Sequence, residues 1–291
     1  MNRTQQITFD WLANSGLDEE ELLFEALLRR GFLVFKNEEG IWLGSGSHHA
    51  DKRVLSCIDG LVIRCESGSS DRIAEISAKQ SNRDAILKNA RAIISLGEHH
   101  LGNFPGGFTQ TGPAQHVAAT WDQYCKMTWG AKLPVCPIKH KSDLRNPVVP
   151  NSLDTGIALL AKVMPLARVA TSCSCDGHGI KPANVSFFYP WDGLWAESVF
   201  SALRFTPRNS KWTWSDNSLC IEPLKGYGDA DILGMLDDIQ SFARLFLNQP
   251  IVDAIGVARS RLLAAIGDNY NDPIVFTDEA KRQLTSFSFK S

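Results

Sequence analysis

The fold turns on Arg168-Val169-Ala170-Thr171-Ser172-Cys173, then Ser174-Cys175-Asp176-Gly177-His178-Gly179, then Asn184-Val185-Ser186-Phe187-Phe188-Tyr189. The two flanks read as strands. The middle carries two glycines within three residues, which lets the chain reverse sharply between them.

On the N-terminal side, Leu153, Ile157, Leu160, Ala161 and Met164 step as a helical stripe that Pro165 terminates. On the C-terminal side the spacing predicts a short helix over Trp195 to Leu203, a strand or hairpin within Lys211 to Glu222, and a long helix over Asp231 to Leu247. That last helix shows Ile232, Met235, Leu236, Ile239, Phe242, Ala243 and Phe246 on one face. Val252 to Ile266 adds a helix closed by Gly267. The order predicts a small antiparallel sheet covered by helices, ferredoxin-like or related, over residues 151–291.

A first α+β unit is expected over residues 1–98. Glu19 to Arg30 is an amphipathic helix stopped by Gly31, and Asp84 to Leu96 is a second, carrying Ile86, Ala90, Ile93 and Ile94. Phe32 to Phe35 and Ile41 to Leu43 flank a turn. Val54 to Ile58 and Leu61 to Cys65 flank Asp59-Gly60, a pair suited to a type I′ hairpin. Residues 99–150 are rich in glycine and proline yet hold Trp121, Tyr124 and Trp129, so they read as a structured connector. The fold class is therefore α+β in two units. No internal repeat is visible in the sequence.

The pointed chemistry lies in the turn. Side chains alternate along a strand, so Cys173 and Cys175 are expected on one face, with Gly177 and Gly179 folding His178 back toward them. Two thiolates and an imidazole suit zinc or another borderline-soft ion, with Cys136, His140 or Cys220 as candidate fourth ligands. A second reading needs no metal. A glycine-flanked turn can bind phosphate through its backbone N–H groups, with Thr171, Ser172, Gly177 and Gly179 lining the ligand. Asp176 and His178 would then serve as the acid/base pair and Cys173 or Cys175 as nucleophile. A third reading is a plain structural turn.

The helix, strand, Thr171-Ser172-Cys173-x-Cys175-x-Gly177-His178-Gly179, strand pattern over about residues 153–189 resembles uncharacterised bacterial and phage proteins carrying an S-C-x-G-H-G turn. More remotely it is similar to the S-S-C-S-G-R turn of the wybutosine-synthesis tRNA methyltransferase family. That resemblance implies a functional face at Ser172, Cys175, Asp176, Gly177 and His178. The chain has His178 where that family has arginine.

Other features narrow the classes. A hydrophobic share of 44% and a charged share of 21% are ordinary for a globular chain and argue against disorder. A net charge of -2 makes the whole chain no magnet for nucleic acid. No stretch is long and apolar enough for a membrane span, and the start lacks a secretory pattern, so a cytoplasmic location with reduced thiols is expected. Cys57, Cys65 and Cys220 sit in apolar runs and read as small buried hydrophobes. The doublets His48-His49 and His99-His100, the latter after Glu98, fall in expected loops, which makes His49 and His99 candidate ligand-binding residues.

Arg204 to Trp214 interleaves cations with aromatic rings, as a single-strand nucleic-acid platform does, although Trp212 and Trp214 at a spacing of two also fit one buried strand face. There is no G-x-S-x-G elbow, H-E-x-x-H pair, phosphate loop or dinucleotide fingerprint. The sequence thus predicts a protein that binds a metal or a phosphorylated ligand through residues 173–179, acting on nucleotide or nucleic acid. The alternative is a non-catalytic subunit or adaptor that meets a protein partner and whose turn is structural.

Overall fold

The computed structural model describes residues 1–44, 49–65, 72–96, 154–164, 166–169, 171–187, 190–215, 217–266 and 272–287. The expected connector, 99–150, lies outside them, as do Glu98, His99, Cys136 and His140.

The first half opens with α1 (Arg3–Asn14), whose N-cap Asn2 and Gln5 bond reciprocally. In α2 (Glu19–Arg30), three glutamates fill the first turn and two arginines the last, matching the helix dipole at both ends. Gly31 ends it at φ 101, with Ala158 so close that a Cβ there has no room. Then follow β1 (Val34–Asn37), β2 (Gly40–Gly44), α3 (His49–Ser56), β3 (Leu61–Cys65), β4 (Arg72–Ala78) and α4 (Arg83–Ile94).

The second half runs α5 (Ala158–Val163), β5 (Thr171–Cys175), β6 (Ala183–Phe187), α6 (Pro190–Ala202), β7 (Ser210–Ser215), β8 (Ser218–Pro223) and α7 (Asp229–Arg244). The helices α8 (Gln249–Ile266) and α9 (Pro273–Thr285) follow. Among the described residues no helix is long and apolar enough to cross a membrane.

The α+β class holds, and the sheet of the second half is antiparallel and helix-covered as expected. Its connectivity, β-β-α-β-β, is related to the ferredoxin-like β-α-β-β-α-β without being the same. The two halves share one topology. From α2 to α4 and from α5 to α7 the described elements run helix, hairpin, helix, hairpin, helix, and the strand orders β1-β2-β4-β3 and β5-β6-β8-β7 correspond one to one. The buried apolar side chains of both halves form a single cluster. Across it Glu25 on α2 accepts from Arg244 on α7 at 2.7 Å and from Arg29 at 3.3 Å, while Arg29 reaches Asp237 at 2.9 Å.

Register assigns the faces of the second sheet. Val185, Leu219 and Trp214 share a row, as do Ala183, Ile221 and Trp212, and the first two members of each row are fully buried. Trp212 stacks on Phe200 at 5.2 Å and meets Phe242 at 5.3 Å. Phe205, Trp212 and Trp214 are partly buried and pack against the core, as the buried-face reading of that run expects. Asp238 fixes the start of β7, accepting from the backbone of Arg208 and Asn209 and from the hydroxyl of Ser210.

One expected hairpin is absent. Val54 to Ile58 is not a strand: His49–Ser56 is helical, and β3 pairs with β4 instead. Val54 and Leu55 are adjacent and both fully buried, with Ile58 following at the next helical turn; a half-exposed strand would alternate. Asp59-Gly60 makes the helix-to-strand turn, and Asn89 donates to the carbonyl of Gly60 at 3.1 Å. Correspondingly Cys57 is exposed rather than buried, and Cys220 is half-buried.

Candidate metal centre

The hairpin joining β5 to β6 differs from its counterpart in the first half. There Glu38-Glu39 closes the β1–β2 turn, whereas here residues 176–182 intervene between the strands. Gly177, His178 and Gly179 take φ values of 74, 53 and 73, a left-handed turn three residues long. A Cβ at Gly177 would lie 2.9 Å from the carbonyl oxygen of Pro182, so both space and backbone conformation require glycine there. His178 has a Cβ and still holds the left-handed conformation, a strain that concentrates at functional positions.

The turn is tied to the segment before α5 by a reciprocal pair of bonds. The backbone N–H of Asp176 donates to Asp154 Oδ2 at 3.2 Å, and that of Gly156 donates to Asp176 Oδ2 at 3.2 Å. Leu236, Asp176 and Thr4 crowd Gly156, so no side chain fits between the two segments. Inside the turn, the N–H of His178 donates to Asp176 Oδ1 at 2.9 Å and that of Gly177 to Cys175 Sγ at 3.4 Å.

These ties gather four donors. Asp154, Cys175, Asp176 and His178 each offer one ligand atom, all within 4.8 Å of one another. His178 Nε2 lies 3.6 Å from Cys175 Sγ and 4.0 Å from Asp154 Oδ2, while its Nδ1 lies 3.5 Å from Asp176 Oδ1. Ligand atoms bound to one tetrahedral zinc stand about 3.3–3.6 Å apart, given bonds of about 2.0 Å to N or O and 2.3 Å to S. The His178 side chain is 45% exposed and that of Asp176 fully buried, so the group opens to solvent at the imidazole.

Electrostatics favour a cation here. Burial pushes the Cys175 thiol up from its ordinary value, and Asp154 and Asp176 push it further against a hydrogen bond from Gly177. Burial likewise raises the Asp176 carboxyl, and Asp154 adds to the effect, opposed by the bonds from His178 and Gly156. Negative charge is thus crowded and held back by its surroundings. A divalent ion reverses both effects, and an anion worsens them. The turn's N–H groups at Gly177 and His178 are already committed to Cys175 and Asp176, which leaves the phosphate reading without those donors.

The expected set is met in part. Cys175, Asp176 and His178 come together, and Gly177 and Gly179 shape the turn. Thr171 is buried at the far end of β5, away from the cluster. The backbone of Ser172 and Cys173 lies in β5 beside a bulge between Thr171 and Cys173, but their side chains lie outside the described residues, as does that of His49. Cys220 is no partner of Cys175: Asn184 stands between them in one row of the sheet, so they are two strand spacings, about 10 Å, apart. Asp154 is the member that sequence reasoning missed.

Comparison of the chain with models of known protein families, with curated proteins and with solved structures finds no match in any of the three.

Proposed function

We propose that the protein binds one divalent ion of borderline softness, zinc foremost, through Asp154 Oδ2, Cys175 Sγ and His178 Nε2. The observation that carries this reading is the convergence of one oxygen, one sulfur and one nitrogen donor across two segments held by reciprocal backbone bonds. Asp176 Oδ1 lies 3.5 Å from Nδ1, on the side of the ring away from Nε2, where a carboxylate orients a zinc-bound histidine toward its ion. Three protein ligands leave a fourth position on the exposed side, which is the arrangement of zinc sites that activate water or polarise a substrate oxygen. A phosphorylated substrate, nucleotide included, enters this reading through a phosphoryl oxygen at that position.

The contacts Cys175–His178–Asp176 also favour a second reading, a metal-free thiol nucleophile with a histidine base and an orienting carboxylate. It leaves Asp154 only its backbone tie to Asp176, and burial together with that carboxylate raises the thiol pKa where a nucleophile needs it lowered.

Equilibrium dialysis of the purified chain against zinc separates the readings. One tightly held zinc per chain is expected, with Cys175→Ser weakening binding about 100-fold or more, beyond what loss of an outer-shell partner does. No retained zinc, together with rapid alkylation of Cys175 at neutral pH, would instead support the thiol reading. A centre closed by all four side chains, with no exchangeable water, would favour the non-catalytic subunit.

A further inference from the structure

The first turn of α1 lies against both arms of the centre. Thr4 packs on Gly156, two residues after Asp154, and Arg3 packs on Gly179, the residue after His178. The Arg3 guanidinium spreads its donors over three residues on two chain segments. Nη1 donates to the Gly179 carbonyl at 2.8 Å, Nη2 to the Tyr227 carbonyl at 2.8 Å, and Nη2 and Nε to Asp229 Oδ1 at 2.7 and 3.1 Å.

From this geometry we infer that Arg3 is a positioning residue of the metal centre: it pins the Gly177-His178-Gly179 turn in its left-handed form and thereby holds the imidazole over Asp154 and Cys175. The inference rests on the metal reading above and extends it to a residue more than 170 positions away in the chain.

Arg3 acts by preorganisation. Two glycines in succession around a strained histidine give a turn with many unfolded alternatives, and a ligand on such a turn binds weakly unless something outside it fixes the backbone. Within the turn, the carbonyl of Gly177 is taken by the N–H groups of Ile180 and Lys181, which closes the loop on itself. The Arg3 bond to Gly179 ties that closed loop to the body of the protein. A planar fork reaching two carbonyls and a carboxylate at once is a task for arginine; a lysine ammonium is a single point that cannot span them. The Arg3–Asp229 pair itself is solvent-facing, with side chains 40% and 73% exposed, so its contribution to global stability is small and its geometric role is separable.

The test uses the full chain with zinc, and with cobalt(II) as a spectroscopic stand-in. Arg3→Ala is expected to bind one ion per chain about 10–100-fold more weakly, the range for outer-shell partners. It should release zinc to a chelator faster by a similar factor and alter the cobalt ligand-field spectrum, with the zinc-free melting temperature within a few degrees of wild type. Arg3→Lys, which keeps the charge and the Asp229 pairing, should fall between the two. Lys211→Ala, which breaks the similarly exposed Lys211–Glu222 pair on β7 and β8, should leave zinc affinity unchanged. Equal zinc affinity and release in Arg3→Ala and wild type would overturn the inference while leaving the metal reading standing, and so would an equal loss in Lys211→Ala. A wild-type chain that takes up no zinc would sink the metal reading and this inference with it.

Discussion

His178→Gly is expected to abolish tight zinc binding and to leave the zinc-free protein at least as stable as wild type. The histidine occupies φ 53, ψ 22, where an L side chain costs about 1–2 kcal/mol. Glycine removes that cost, while its freer unfolded chain gives back about 0.4–1 kcal/mol. The ring is half-exposed and buries little, so the net change in the zinc-free protein is a gain of about 1 kcal/mol or none. Zinc affinity, by contrast, loses a direct ligand and should fall about 100-fold to 1,000-fold, roughly 3–4 kcal/mol. His178→Ala should lose the same affinity and gain no stability, because its Cβ keeps the left-handed strain. Urea unfolding with and without zinc checks all three. A structural role for His178 makes the opposite prediction, a glycine variant less stable than wild type in the absence of metal.

Trp195→Ala should be the most damaging single change in the core of the second half, at about 3–5 kcal/mol. Trp195, on α6, is fully buried, and its indole N–H donates to the Ala167 carbonyl at 2.7 Å. Its ring also faces the Arg259 guanidinium on α8 at 5.1 Å, with Phe276 on α9 on the same cation at 5.4 Å. Burial pulls the Arg259 pKa down to about 10 against the opposing pull of Asp192, so the group is still a cation at neutral pH. Deleting the indole therefore opens a cavity, strands a carbonyl and removes one aromatic face from a buried charge. Trp195→Phe keeps the face and loses the hydrogen bond, for about 1–2 kcal/mol. The measurement is the shift in urea midpoint at constant m-value. A loss below about 1 kcal/mol for the alanine variant would mean that α6, α8 and α9 do not share this core.

The sequence made some of this legible for identifiable reasons. The helices over Glu19–Arg30 and Arg83–Ile94 declare themselves by apolar stepping, and α2 also by its terminal glycine. The helix α1 is harder to read, because three of its five buried residues are Thr4, Gln5 and Thr8, which leaves only Ile7 and Leu12 to mark its buried face. The helix α9 carried a missed signal: Asp272 caps it and Pro273 fills its first position. Asp59-Gly60 misled because a hairpin dipeptide serves equally well to turn a helix into a strand. At the site, Cys175, Asp176 and His178 were visible as a local cluster. Asp154 was not, since it precedes a helix 22 residues upstream of Asp176, where an aspartate ordinarily reads as a cap. The two matching strand orders were invisible for a different reason: strand order is set by long-range packing, which local residue periodicity does not carry.

X-ray absorption at the zinc edge of the loaded protein should show a first shell with one sulfur at about 2.3 Å and three nitrogen or oxygen scatterers near 2.0 Å, the sulfur disappearing in Cys175→Ser. A shell without sulfur, or one with two or more, would contradict a centre built from Asp154, Cys175 and His178.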